Sequence, residues 1–158
     1  MKRAFIFLGI IIFFGLACTN ETYEPGKVPT ASDQQDINNM FPKTIEGLPR
    51  ETFIRNFDID QCEYVELKAT YGDSSQIAMT ITQTSDSKCS YLLLLKTMED
   101  KKQQGYKVLA NRKDMFIARK DNTKELYWAK EEYFFSLKAN KENFSKVAHY
   151  FKYVIVKD

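Results

Sequence analysis

Three cysteines, one histidine and a scatter of carboxylates are the residues of this chain that could carry chemistry. His149 stands alone, so any Ser–His or Cys–His pair would have to be built around it. No serine or cysteine sits in a strand–elbow–helix setting that would expose a nucleophile. His149 also lies off the apolar stripe of the last helical stretch, which reads as an exposed histidine. A single histidine excludes a histidine-rich metal site, and Cys62 and Cys89 lack the paired spacing of a zinc site. Asp58-Ile59-Asp60 with Glu63 has the acids of a calcium loop but not its glycine or ligand spacing, and reads as a solvated strand end. Six glycines, with Gly9 and Gly15 among them, form no phosphate-binding loop. Carboxylate pairs can act as acid and base from distant positions, so a carboxylate-dependent hydrolase stands as an alternative. No metal and no cofactor is expected.

The aromatic set Tyr127, Trp128, Tyr133, Phe134 and Phe135 is the most suggestive feature. Period-two alternation puts Tyr133 and Phe135 on one side and Phe134 on the other, and points Tyr127 and Trp128 in opposite directions. One side of such a hairpin belongs to the core. The other is either covered or displays aromatics to a partner or a glycan. Tyr127, Trp128 and Phe134 are therefore the candidate binding residues.

The chain opens MKRAFIFLGIIIFFGLAC. Lys2 and Arg3 precede an uncharged apolar run of fourteen residues, Ala4 to Ala17. That length suits the core of a secretory signal and falls short of the roughly 20 residues that span a bilayer. The run ends Gly15-Leu16-Ala17-Cys18, which resembles the lipobox of bacterial lipoproteins, with Gly15 where leucine is usual. The resemblance covers the leader alone. It implies a signal peptide over residues 1–17, cleavage before Cys18, a diacylglyceryl thioether on its sulfur and an acylated amino terminus, with fatty chains such as palmitate. An ordinary secretory signal with an incidental cysteine is the alternative. Each buried methylene contributes about 0.8 kcal/mol, and two or more acyl chains hold a protein stably. Thr19 is not the aspartate that retains lipoproteins of enteric bacteria at the inner membrane, so the resemblance favours the outer membrane and leaves the leaflet open.

Removal of the first 17 of 158 residues leaves 141, enough for one domain with a real core. Lys2 and Arg3 are two of the 23 basic residues, so the remainder carries 21 basic against 21 acidic side chains. Nucleic-acid binders carry a basic excess, and this balance argues against that class. The expected partners are the membrane, through the anchor, and another envelope protein or a glycan. Cys62 and Cys89 form one available pair in a compartment that permits disulfides; the alternatives are a bridge and two unpaired thiols.

Residues 18–40 are polar, hold Pro25, Gly26 and Pro29, and read as the lipidated cysteine followed by a flexible tether with a reach of roughly 25 Å. Residues 41–158 read as a single domain. Phe41 to Arg50 is an extended entry segment, and Glu51 to Asp60, with Phe53, Ile54, Phe57 and Ile59, is a short strand or a turn and strand. Glu63–Tyr71 and Gln76–Gln83 alternate around Gly72-Asp73-Ser74-Ser75 and form a hairpin. Setting Tyr71 opposite Ile77 brings Cys62 within three residues of the level of Cys89. Ser85–Gln104 reads as a helix with Gly105 as its stop. Four short strands follow, and Asn140 starts a last helix whose stripe is Phe144, Val147, Ala148, Phe151 and Ile155, with β-branched Val154-Ile155-Val156 leaving its final turn frayed or extended. The fold class is α+β: an antiparallel sheet of about six strands with two helices packed on one face.

Overall fold

The computed structural model describes residues 21–73 and 76–157, so the leader and Cys18 lie outside the described residues. Among the described residues no helix is long and apolar enough to cross a membrane. In chain order the elements are β1 (Thr22–Pro25), α1 (Ala31–Gln35), α2 (Ile37–Met40), β2 (Thr44–Ile45), β3 (Leu48–Ile59), β4 (Cys62–Tyr71), β5 (Ile77–Thr84), α3 (Ser87–Gln103), β6 (Lys107–Arg112), β7 (Met115–Lys120), β8 (Thr123–Lys130), β9 (Tyr133–Asn140), α4 (Phe144–Ala148) and β10 (Val154–Lys157).

The fold is mixed α+β, as expected, and its main sheet is antiparallel with the order β2-β3-β4-β5-β9-β8-β7-β6. Two meanders, β2–β5 and β6–β9, join where β5 pairs with β9. Two-residue turns set the registers. Glu46, Asp60, Asp121 and Glu131 each take a positive φ at the first turn position, where the twist of a tight hairpin needs it. The expected pairing of Tyr71 with Ile77, Ala69 with Met79 and Leu67 with Ile81 is present.

The sheet is covered on both faces, which corrects the expectation of two helices on one. α3 lies over Phe116, Ala118, Tyr127, Ala129 and Phe134 through Leu94 and its neighbours Tyr91 and Met98. Asp86 caps α3 by accepting from the Cys89 amide at 2.8 Å. Gly105 ends it at φ +80°, with the Tyr106 amide bonded back to Lys101 and its own to Lys102, a six-residue closure that only a left-handed residue permits. The opposite face holds the larger core of Met79, Ile81, Met115, Trp128, Phe135 and Leu137 under α4, Phe151 and Tyr153. This two-sided burial explains why Tyr64, rather than Val65, is buried at the start of β4, where α3 covers the other face.

Two further expectations change. The sheet has eight strands rather than six, and the last helix stops at Ala148, after which β-branched Val154–Val156 extend as β10. β10 has a partner because residues 22–40 are not a loose tether. β1 pairs with it, Tyr23 opposite Val156. Tyr23, Met40 and Phe41 are buried in the larger core, and Thr30 and Asp33 form a reciprocal capping box on α1. The segment looks polar because its few apolar side chains point inward while its polar ones face solvent. Gly26 is needed where this strap crosses the domain: a Cβ there would stand 2.7 Å from the Tyr153 carbonyl carbon.

Candidate binding surface

The aromatic candidates are core residues. Trp128 is 0% exposed and stacks on Phe135 at 4.9 Å, with Phe151 edge-on at 5.6 Å. Tyr127 and Phe134, 8% and 6% exposed, lie on the opposite face beneath α3, in a stack with Phe116. None of the three offers a surface, because each face of the hairpin has its own cover. The Tyr127 hydroxyl donates to Glu125 at 2.6 Å, and Lys101 closes the same buried carboxylate at 2.5 Å. Burial, then the Glu125 charge, pushes the Tyr127 hydroxyl far above its usual range. Each charged member of this cluster has its partner, which marks it as structural.

Cys62 and Cys89 are bonded, with Cα atoms 5.8 Å apart, and tie the tip of the β3–β4 hairpin to the first turn of α3. His149 is exposed at the end of α4. Asp58, Asp60 and Glu63 make no metal site: among the described residues no group of three acidic, histidine or cysteine side chains could hold an ion.

Of the exposed large apolar side chains, Phe53, Ile54 and Val65 gather at the outer corner of the sheet, on β3 and β4, while Leu92 and Leu95 lie on α3 and Tyr150 and Ile155 near the end of the chain. Ile54 is 61% exposed, Phe53 55% and Val65 41%. Ile54 and Val65 edge an apolar groove of about 210 Å³ on the α4 face, floored by Leu67 and Ile81, with Gln34, Gln83 and Tyr133 at its polar end. Phe53 stands on the other face beside Arg55, Glu66 and Lys68. Arg55 is held in place by Glu66 at 2.6 Å and lies 4.8 Å above the Phe57 ring.

The backbone of β3 is half used. Its last residue faces Cys62 across the two-residue turn Asp60-Gln61, and both turn residues have positive φ. The closing pair of such a turn exchanges hydrogen bonds. Alternation then directs the amides and carbonyls of Phe53, Arg55, Phe57 and Ile59 toward β4 and those of Thr52, Ile54, Asn56 and Asp58 outward. The Arg50 amide, of the outward set, donates to the Lys43 carbonyl at 3.1 Å, which fits this parity. β2 pairs only with Leu48 and Pro49. Among the described residues nothing pairs with the outward edge beyond Arg50.

The far edge of the sheet, β6, is short, bulged between Ala110 and Arg112, and carries Lys107 and Arg112, all features that discourage pairing. β3 has no bulge, proline, glycine or lysine from residue 51 to 59. The sequence reading found its apolar residues but gave them a short strand. The legible signal was Phe53 followed directly by Ile54, an apolar pair that loads both faces of a strand at once.

A second concavity, about 360 Å³, opens at the other end of the strands and is lined by Asn122, Asn140, Asn143, Gln76 and Lys138 over Leu48, Ile77 and Val147. Its amides offer donors and acceptors together. Compared with known proteins, the chain matches no family model, and neither a curated protein nor a solved structure matches it.

Proposed function

We propose that the chain is an exported lipoprotein, held to the cell envelope by an acylated Cys18, whose domain is a binding module rather than a catalyst and takes another envelope protein at the corner formed by β3 and β4. The observation that carries the binding role is the exposed set Phe53, Ile54 and Val65 around an unpaired strand edge. Soluble domains rarely leave such an edge bare. The Cys62–Cys89 bridge supports export, since disulfides persist in oxidising compartments. Thr19 supports the outer membrane. Four residues lead from Cys18 to Thr22, at most about 14 Å of extended chain at 3.3–3.6 Å per residue. The anchored domain therefore sits close to the bilayer rather than on a long tether.

Two experiments test the reading. Fatty-acid labelling and membrane fractionation of the wild type and of Cys18→Ser test the anchor: label and membrane association are expected in the first and lost in the second. A photo-crosslinking side chain in place of Ile54, compared with one in place of Lys113 on the β6–β7 turn, tests the surface in living cells. A discrete adduct from position 54 alone is expected, and equal yields or none would defeat the proposal.

The amide-lined cleft favours a second reading, a small glycan held by Asn122, Asn143 and Gln76. Titration of the protein with envelope oligosaccharides would shift the amide resonances of these residues if it holds.

A further inference from the structure

We infer that β3 receives an extended segment of a partner protein as a ninth strand of the main sheet, with an acidic residue of the segment opposite Arg55 and apolar residues opposite Phe53 and Phe57. The inference rests on the binding-module reading and gives it a mode and a partner chemistry. The outward amides and carbonyls of Thr52, Ile54, Asn56 and Asp58 are a ladder ready for pairing, and strand addition satisfies them as a side-on contact does not.

A second copy of this chain is the obvious occupant, and geometry and charge oppose it. Two copies pairing face-preserved about a two-fold axis, over the whole open edge from Glu51 to Ile59, centre on Arg55. That sets the guanidinium against its own copy, and like charges directly opposite destabilise a pair. Sliding toward Leu48 drives the incoming strand into Lys43, Thr44 and Ile45, which already occupy that edge. Sliding the other way sets Ile54 against Asp58. Each of these self-pairing registers thus meets a clash, a like-charge pair or an apolar side chain facing a carboxylate, and one centred on Phe57 pairs only residues 55–59 and leaves Thr52 and Ile54 bare.

A different strand meets none of these if it carries an acid at the centre. Arg55 is fixed by Glu66 and Phe57 yet keeps most of its side chain in solvent, and Lys68 lies across from Phe53 on the same face. Arg55 is therefore the cation that meets the incoming acid, reaching it on the open side of β3 while Glu66 holds it from the β4 side. Glu51, at the end of the open edge, calls for a basic residue opposite it. On the other face Ile54 and the groove beside Val65 take an aliphatic side chain.

The test uses the protein as purified in detergent and an acetylated, amidated peptide of sequence TVTEVVTK, which has these features in antiparallel order. Residue-resolved amide exchange should show protection gained at Thr52, Ile54, Asn56 and Asp58, with Phe53, Arg55 and Phe57 unchanged because β4 already holds them. Arg55→Gln, an exposed change that sets no acid against Glu66, should weaken binding several-fold, and exchanging the peptide's glutamate for glutamine should weaken binding to that variant no further. Ile54→Asp should abolish it. No binding at about 1 mM peptide overturns the proposal. So does protection centred on Leu92–Lys96, or the same alternating protection without peptide in a concentration-dependent dimer. If position 54 crosslinks a partner in cells while the peptide gives no alternating protection, strand addition falls and the binding surface stands.

Discussion

Glu24 and Lys157 are ion-paired at 2.7 Å across the β1–β10 ribbon, and Arg112 reaches the same carboxylate at 2.7 Å from the edge of the main sheet. This pair belongs to a series. Asp33 pairs with Lys152 at 3.2 Å, and Glu46 with Lys146 at 2.5 Å and Tyr150 at 2.9 Å. Residues 24–46 are thus strapped to the last fifteen or so residues by carboxylates.

Acid should release that strap before it melts the sheet. Each of the three carboxylates titrates below its usual range: Glu24 through Lys157 and then Arg112, Glu46 through Lys146, and Asp33 through the Thr30 amide. A depressed carboxylate contributes stability above its unfolded value, near 4, and loses it as pH falls through the folded value. Relative to its intrinsic rate, amide exchange at Thr22–Glu24 should therefore accelerate as pH falls below about 4 while Met79, Leu126 and Leu137 stay protected. Equal acceleration at both sets would show that the strap adds nothing separable. Because the pairs are at the surface, high salt should weaken the strap at neutral pH as well.

The sequence disclosed the parts that repeat locally. Alternation set the β4–β5 register, and the polar run Ser85–Ser87 with Gly105 bounded α3 to within two residues, because those signals sit inside one element. It did not disclose what covers what. Trp128 and Phe134 point oppositely in any strand, and only the arrival of α3 on one side and of the strap with α4 on the other decides that both are buried. The strap is hidden for the same reason, since Tyr23 finds its partner more than a hundred residues away in Phe144. The edge at β3 was equally hidden: whether a strand is central or outermost is a property of the sheet.

Gly26→Ala should loosen the strap without touching the sheet. The added methyl would meet the Tyr153 carbonyl carbon at 2.7 Å and its oxygen at 2.8 Å, both backbone atoms that cannot turn away. The Gly26 amide also donates to that oxygen at 2.8 Å, so the two segments must part to make room. Overpacking of this kind costs about 1–3 kcal/mol. A fall of that size in the unfolding free energy from urea denaturation is expected, and an unchanged value would mean that the crossing contributes nothing to stability.

Replacing Cys62 and Cys89 together by serine should cost roughly 3–4 kcal/mol, the chain-entropy value for a loop of this length. The bridge ties the β3–β4 tip to α3, so the loss should fall first on Phe57, Ile59 and Tyr64, which pack around the sulfurs. Denaturation of the double variant, compared with wild type under oxidising and reducing conditions, measures it. Reduced wild type should match the variant. If it stays as stable as the oxidised protein, the bridge contributes nothing.

Trp128 is the only tryptophan and thus reports its own surroundings. Its ring is sealed between Phe135 and Phe151, and its indole nitrogen, among the described residues, has no hydrogen-bond partner. Emission should be blue-shifted and resistant to iodide, and should stay so when the β3 edge is occupied. Trp128→Ala should cost roughly 3–5 kcal/mol, the range for emptying a large aromatic site. Phe53→Ala, at the exposed corner, should change stability by no more than about 0.5 kcal/mol. The pair separates the two roles an aromatic can play in this sheet, because the residue that holds the fold is silent in binding and the one that binds is silent in folding. A quenchable Trp128, or a Phe53 variant that unfolds as readily as the Trp128 one, would reverse the assignment.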